Sequence, residues 1–474
     1  MLMILRCLAI CLLIFFVSCD NKEEKVHVQK ALTINEIQLI GTHNSYKKAI
    51  PGPLLNKIKG ENPEMAESLD YSHPNLWKQL EAGLRLFELD IYHDPEGGKF
   101  SNPLGKEMVD SLQWDNGFDK PGFKVFHVQD IDFLSHHALF REYLKDLKAW
   151  SSFHPHHLPI FISINAKDEN YPDLGFTEAI PFDQEAFKLL DKEIVDYLGT
   201  EKLITPRSIQ GDFKDLKTAV LESGWPELDE ARGKFIFILD EGEEKIGKYL
   251  AKGEGLIFVN VPEEHPMSAI HIINDPINHH EQISEYVKKG YIVRTRADAG
   301  TKEARLNDTK RSEMAFSSGA QLISTDYYQA DARWEGEYKV QFDEAAYARV
   351  NPVVSKNKTS LQSLSEEMAQ AINIDPQAFL LAEKELDAVI LDVRTQEEVA
   401  QGLIPGAVNI DVLQDDFAEK IATLDKNQKV LVYCKVGGRS KKAADLLVGK
   451  GFSQVFNLEG GYDLWKKNGY PVKQ

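Results

Sequence analysis

Three short stretches of this chain place proton carriers or oxygen ligands at the downstream ends of apolar runs. They are Gly41-Thr42-His43-Asn44-Ser45-Tyr46, Phe87-Glu88-Leu89-Asp90 and Phe126-His127-Val128. Histidine ionises near neutrality, so a pair can take and return protons during one reaction. Asn, Glu and Asp together offer the oxygen donors that a hard divalent cation prefers. Glu88 and Asp90 stand two apart, so on a strand they point to the same side. Such a set is equipment for cleaving a phosphodiester. A second stretch carries different chemistry. The run Val430-Leu431-Val432-Tyr433 leads into Cys434-Lys435-Val436-Gly437-Gly438-Arg439-Ser440. A thiol between a strand and a Gly-rich loop that opens a helix meets backbone N–H groups and the positive helix end. Both favour thiolate and a bound anion, and Arg439 adds a fixed positive charge.

These side chains need a scaffold that brings distant segments to one place. Apolar, β-branched runs predict strands at 37–41, 84–91, 124–128, 159–164, 234–239, 256–261, 291–295 and 321–324. Eight buried strands separated by helical or loop segments read as a (β/α)₈ barrel spanning about 33–353, of the α/β class. In such a barrel the carboxyl ends of the strands converge on one pocket. A doubly wound sheet is the structural alternative. From 354 to 364 the composition turns to Ser, Lys, Asn and Gln, a linker. A smaller α/β pattern with a parallel sheet occupies 365–474.

The chain has 474 residues and a net charge of −19, with no clustered basic block beyond the amino terminus. That balance argues against nucleic acid as a partner, because phosphate backbones demand clustered Lys and Arg. At the amino terminus Arg6 precedes the apolar run 7–17, which ends Phe16-Val17-Ser18-Cys19. This has the layout of a secretory signal and is short for a spanning helix. A small residue followed by Cys19 resembles the bacterial lipoprotein cleavage box. The expectation is a signal peptide over 1–18, lipidation at Cys19 and a polar tether over 19–32. The chain would then be an exported lipoprotein, held by its lipid at the outer membrane, in the periplasm or at the cell surface. An uncleaved anchor or a conventional signal peptide is the alternative. The four cysteines are Cys7, Cys11, Cys19 and Cys434, so Cys434 alone remains as a free thiol in that mature chain.

Over about 33–353 the sequence resembles the bacterial calcium-dependent phosphatidylinositol-specific phospholipase C family. The resemblance rests on Ile40-Gly41-Thr42-His43-Asn44-Ser45-Tyr46, Glu88-Leu89-Asp90 and Phe126-His127. It continues in Gly224-Trp225-Pro226, in Gly290-Tyr291-Ile292-Val293-Arg294-Thr295-Arg296-Ala297-Asp298, and in Ser318-Gly319-Ala320-Gln321-Leu322-Ile323-Ser324-Thr325-Asp326-Tyr327. It implies His43 and His127 as an acid/base pair around a phosphate, and Asn44, Glu88 and Asp90 as Ca²⁺ ligands. Members usually carry a further acid where this chain reads Ile162-Ser163-Ile164-Asn165. Asn165 can still ligate, at the loss of one charge, with Asp168 as a candidate to compensate. Lys167 and Arg296 are candidates to contact phosphate or inositol hydroxyls. The histidines at 136–137, 154–157 and 279–280 lack family support and read as solvated surface residues.

The carboxyl-terminal segment resembles the rhodanese domain. The resemblance rests on Leu391-Asp392-Val393-Arg394, Ile404-Pro405-Gly406-Ala407-Val408-Asn409-Ile410, the Cys434 loop and Leu458-Glu459-Gly460-Gly461-Tyr462. It implies a sulfurtransferase with Cys434 as sulfur carrier and a small sulfur donor or acceptor as partner. Leu403 stands where many members have His. The whole reads as a Ca²⁺-dependent phosphodiesterase acting on an inositol phospholipid or related inositol phosphodiester, with an appended rhodanese. Rival readings are a barrel cleaving glycerophosphodiesters or sphingomyelin, a surface lipoprotein that only binds inositol lipids or glycans, and a rhodanese that uses the barrel for recognition.

Overall fold

The computed structural model describes residues 31–109, 116–355, 364–366 and 371–474. The signal segment, Cys7, Cys11 and Cys19 lie outside the described residues. Eight parallel strands form the first half of the structure: β1 (Ile37–Thr42), β2 (Leu86–Tyr92), β3 (Ile160–Lys167), β4 (Phe235–Leu239), β5 (Phe258–Val259), β6 (Ile270–Ile272), β7 (Ile292–Arg296) and β8 (Leu322–Thr325). Their order is β5-β4-β3-β2-β1-β8-β7-β6, so β1 lies between β2 and β8 and the sheet curls into a barrel. Across the seam between β5 and β6, Asn260 Oδ1 accepts the Ile272 N–H (3.1 Å). Side chains from both faces of these strands are buried, which explains runs such as Phe235-Ile236-Phe237-Ile238-Leu239 with no polar alternation. Gly41 pairs with Leu86, and a Cβ there would stand 1.8 Å from the Leu86 carbonyl oxygen. Only glycine lets β1 and β2 approach so closely.

The barrel differs from expectation at one stave. The run 124–128 is not a barrel strand. Only Lys124–Val125 is extended, and it pairs antiparallel with Ile91 and Tyr92 at the far end of β2. Phe126 serves a satellite core instead, stacking on Tyr92 at 4.0 Å beside Phe100 and Phe118. The missing stave is Ile270–Ile272. With three residues, and with His271 in its centre, it carries too little periodicity to be read from sequence.

The second half is a five-stranded parallel sheet. Its strands are β9 (Ile372–Ile374), β10 (Ala388–Asp392), β11 (Val408–Asn409), β12 (Lys429–Tyr433) and β13 (Val455–Leu458), in the order β9-β13-β12-β10-β11. The two halves pack on each other. Phe153, which ends the helix Phe140–Phe153, meets Phe456 edge-on at 4.6 Å, and Lys429 Nζ reaches Glu81 Oε2 at 2.6 Å. Glu366 is a further link. Its carboxylate pairs with Arg85, which lies 4.6 Å from the Trp150 ring centre, and accepts the Leu158 N–H at 2.6 Å. Arg85 is buried and Glu366 partly exposed, so Glu366→Ala strands a buried guanidinium with only carbonyl partners. The expected cost is about 1–3 kcal/mol, read as a lower midpoint at unchanged slope in urea unfolding.

Candidate functional site

The mouth of the barrel gathers residues from the ends of β1, β2, β3, β7 and β8. His43 and Asn44 follow β1, and Asn44 has φ of 47°. That left-handed turn is tolerated by Asn and directs its side chain inward. There Asn44 Nδ2 donates to the Tyr71 hydroxyl (2.7 Å), and its Oδ1 accepts from Tyr46 (3.1 Å). His43 Nδ1–H donates to Asp326 Oδ1 at 2.8 Å, with Tyr71 Oη 3.1 Å and Arg296 Nη2 3.3 Å away. Its other nitrogen, Nε2, lies 3.5 Å from Glu88 Oε1. Burial, followed by the Arg296 cation, holds the His43 pKa well below its usual value, while Glu88 acts in the opposite direction.

His127 comes from the rim loop after the Lys124–Val125 strand rather than from a stave. A tight turn over 128–132 folds back so that His127 Nδ1–H donates to Asp132 Oδ2 (2.8 Å). Buried Lys47 holds the other oxygen of Asp132 (2.7 Å). Both histidines therefore have Nδ1 fixed by a buried carboxylate, leaving Nε2 as the reactive nitrogen. Neither Asp132 nor Asp326 was singled out from sequence, because each meets its histidine only through the fold. Asp326 is itself held by Arg296 Nη2 (3.2 Å), and its backbone N–H donates to Asp298 Oδ1 (2.8 Å).

Glu88, Asp90 and Asn165 share one face of the β2–β3 pair, with Asp90 directly beside Asn165. Asn165 Nδ2 donates to Glu88 Oε1 (3.3 Å), and Lys167 Nζ lies 3.6 Å from Asp90 Oδ2. Asp90 Oδ1 is buried without a hydrogen-bond partner. Burial, against the pull of Lys167, raises Asp90 to about 6. A buried carboxylate oxygen with no hydrogen-bond partner has its lone pairs available to a cation. Asn44, Glu88, Asp90 and Asn165 therefore suit a hard cation. Among the described residues no three His, Cys, Asp or Glu side chains form a metal cage, and this set consists of two carboxylates and two amides. Asp168 does not compensate for Asn165, because it is turned away to Lys245 Nζ (2.7 Å) and the Phe182 N–H (3.1 Å). Arg294, two residues before Arg296 on β7, joins the cluster by pairing with Glu88. Strand alternation from Arg296 was the signal that could have found it.

The histidine tracts away from the mouth divide. His279 and His156 are exposed, whereas His137 pairs with Asp146 (2.8 Å) and His154 stacks on Trp150 at 4.0 Å. His157 is not a surface residue at all: it is buried and bonded to the Ser151 hydroxyl (2.9 Å). It closes the turn that brings the chain from the helix Phe140–Phe153 into β3.

In the second half, Cys434 follows β12 and precedes the helix Gly438–Gly449. Its sulfur accepts the Gly437 N–H (3.2 Å) and the Ser440 hydroxyl (3.4 Å). Burial disfavours the thiolate, but the Ser440 hydroxyl and the N–H groups of Ser440, Val436 and Gly437 outweigh it. The net effect lowers the Cys434 pKa. Gly461, at φ of 59°, lets the next loop lean on this one, since a Cβ there would stand 2.5 Å from the Cys434 carbonyl oxygen. Arg439 is engaged by both oxygens of Glu398 (2.8 and 2.7 Å). Asp392 and Arg394 form a buried pair beneath the loop, with Tyr433 donating to Asp392 (2.7 Å). Leu403 exchanges backbone hydrogen bonds with Lys473, away from the sulfur.

Comparison with known proteins agrees with both halves. The family model for phosphoinositide phospholipase C, Ca²⁺-dependent, matches residues 32–352, and that for the rhodanese-like domain matches 375–468. A tRNA uridine(34) hydroxylase of Cytophaga hutchinsonii is 35% identical over 145 residues, 29% of this chain and 46% of that protein, so the chain spans about half of its length. A thiosulfate sulfurtransferase GlpE of Pseudomonas putida is 36% identical over 106 residues, 22% of this chain and 94% of the relative. Among solved structures, a Ca²⁺-dependent phosphatidylinositol-specific phospholipase C of Streptomyces antibioticus has a TM-score of 0.40 at 18% identity, covering 63% of this chain and 96% of its own. A calcium-dependent phosphoinositol-specific phospholipase C of a Pseudomonas species has a TM-score of 0.43 at 14% identity, covering 68% and 96%. With two thirds of its length matched by the first of these family models, the chain belongs to the Ca²⁺-dependent phosphoinositide phospholipase C family, and it carries a rhodanese-like domain at its carboxyl end.

Proposed function

We propose that the barrel cleaves phosphatidylinositol or a related inositol phosphodiester with His43 and His127 as the proton-transfer pair. The observation that carries this reading is the matched pairing His43–Asp326 and His127–Asp132, both 2.8 Å, at one barrel mouth. Each carboxylate orients its ring and stabilises the imidazolium that forms during proton transfer. One histidine takes the proton of the inositol 2-hydroxyl as that oxygen attacks phosphorus. The bond from phosphorus to the glycerol oxygen breaks, and the other histidine protonates the departing oxygen. The products are a cyclic inositol phosphate and diacylglycerol. Ca²⁺ is the family's cation and the residues fit it: Asn44, Glu88, Asp90 and Asn165 would hold it, where it supplies charge neutralisation to the phosphoryl oxygens. Arg296 and Lys167 stand at the same mouth and are suited to steer the anionic headgroup.

In the rhodanese-like domain Cys434 thiolate attacks the outer sulfur of a donor such as thiosulfate. A persulfide forms on Cys434 and sulfite leaves; a nucleophilic acceptor then removes the outer sulfur and restores the thiolate. The lipoprotein signal reading supports an exported, lipid-anchored protein, with Cys19 as the lipidated residue. Among the described residues no helix is long and apolar enough to cross a membrane.

The test is release of water-soluble inositol phosphate from phosphatidylinositol micelles, with Ca²⁺ and with a chelator. Calcium-dependent release is the expected result, with a cyclic product seen by phosphorus NMR. A substrate whose 2-hydroxyl is methylated is expected to resist cleavage. Its cleavage at the normal rate would show that a different nucleophile attacks and would remove the inositol reading.

A further inference from the structure

Both oxygens of Glu88 are already in use. Oε1 accepts from Asn165 Nδ2 (3.3 Å) and lies 3.5 Å from His43 Nε2, while Oε2 is in close contact with Arg294 Nη2. Arg294 is 2% exposed. Its second amino group donates to Asn274 Oδ1 (2.6 Å) and Asp240 Oδ2 (3.3 Å), and Ser324 Oγ lies 3.3 Å from the first. A divalent cation arriving at Glu88 therefore meets a guanidinium in place. Lys167 stands against Asp90 in a similar way, but at 3.6 Å and on a partly exposed side chain that can swing into water. Arg294 has no such exit. Asn165 brings no compensating negative charge, and Asp168 is committed to Lys245.

We propose that Arg294 is a resident competitor for the divalent cation on Glu88 and that Asp240 moderates the competition by sharing its charge. The proposal rests on the cation-site reading above. It makes the site a weak one, working at roughly the 10⁻⁴–10⁻³ M range typical of extracellular modules rather than at the micromolar range of intracellular sensors. A cation within a few ångströms of another, even at an intermediate dielectric, is repelled strongly enough to change affinity by at least about tenfold. The rival account is that Arg294 only compensates two buried carboxylates. Removing either Arg294 or Asp240 would then loosen the site and weaken cation binding in both cases.

The experiment is calorimetric titration of CaCl₂ into the full chain in detergent micelles, for wild type, Arg294→Gln and Asp240→Asn, with no lipid substrate present. Competition predicts opposite signs. Arg294→Gln should bind Ca²⁺ about tenfold more tightly or better, and Asp240→Asn several-fold more weakly. Thermal unfolding gives a second readout: Arg294→Gln should melt lower than wild type without Ca²⁺ and gain a larger upward shift when Ca²⁺ is added. Unchanged or weaker binding by Arg294→Gln overturns the proposal, as does weakening by both variants together. If Arg294→Gln does not fold, Arg294→Met, neutral and of similar length, takes its place, and affinity at or below wild type overturns it. If no form binds Ca²⁺ calorimetrically, the cation-site reading itself falls and the competition with it. Wild-type binding without the opposed signs removes the competition and leaves the cation site standing.

Discussion

His43→Ala is expected to lower the rate of inositol phosphate release by about 10²–10⁴-fold, the range that a positioned acid or base contributes. The chain should survive the change, because the buried carboxylate behind the ring keeps its second partner: Asp326 remains 3.2 Å from Arg296. His127→Ala is protected in the same way, since Asp132 retains Lys47 at 2.7 Å. Neither variant leaves an unpaired buried charge, which is the usual reason for a large loss of stability. The second domain supplies an internal control. Sulfur transfer by Cys434 should stay at the wild-type level in both variants, so a loss of lipid cleavage can be assigned to the barrel mouth rather than to a misfolded preparation. Asp326→Asn tests orientation separately from proton transfer. It keeps the shape but removes the negative charge and leaves one acceptor oxygen for the two donors, His43 Nδ1–H and Arg296, and it should lower kcat with little change in KM. A His43→Ala protein that cleaves within threefold of wild type would remove this residue from the acid/base pair.

Legibility from the sequence followed the physics of each element. His43, Glu88, Asp90 and Asn165 were readable because long buried staves announce themselves as uninterrupted β-branched runs, and catalytic side chains of a barrel sit where those runs end. His127 was readable as a residue but not in its placement. Its apolar run resembled a stave, yet Phe126 satisfies a loop core through Tyr92, Phe100 and Phe118. The stave Ile270–Ile272 was hidden for the converse reason: three residues give no periodicity, and only closure of the barrel makes them extended. The carboxylates that orient the histidines were harder to read. Asp132 lies five residues beyond His127, but only a turn makes them face, and Asp326 is 283 residues from His43. Glu366 sits in a stretch whose composition reads as linker, and its pairing with Arg85 depends on where the second domain docks. Spacing within one strand survives in sequence; pairing across the fold does not.

Cys434→Ser is expected to abolish thiosulfate:cyanide sulfur transfer while leaving inositol phosphate release unchanged. The loss should be complete within detection, because the hydroxyl cannot carry a transferable persulfide and no second cysteine lies among the described residues. The wild-type thiol should also show its environment through pH. Its pKa is lowered, so the rate of alkylation by iodoacetamide should rise to its plateau at lower pH than for an unperturbed thiol, about 8.5. The sign follows from which form is stabilised. The Ser440 hydroxyl and the loop N–H groups bond the thiolate, so they hold it ionised to lower pH, whereas burial alone would move the midpoint upward. Ser440→Ala removes the hydroxyl at 3.4 Å and leaves the Gly437 N–H at 3.2 Å, so the midpoint should move part of the way back up. Sulfur transfer should fall with it when assayed below that midpoint and recover as pH is raised. A Ser440→Ala midpoint equal to wild type would place the stabilisation in the backbone alone, and retained sulfur transfer in Cys434→Ser would remove the thiol from the reaction. Arg439 meets Cys434 directly, but Glu398, which engages both of its terminal nitrogens, holds it more strongly. The thiolate therefore depends on the loop N–H groups and the Ser440 hydroxyl more than on the guanidinium that made the loop conspicuous in the sequence.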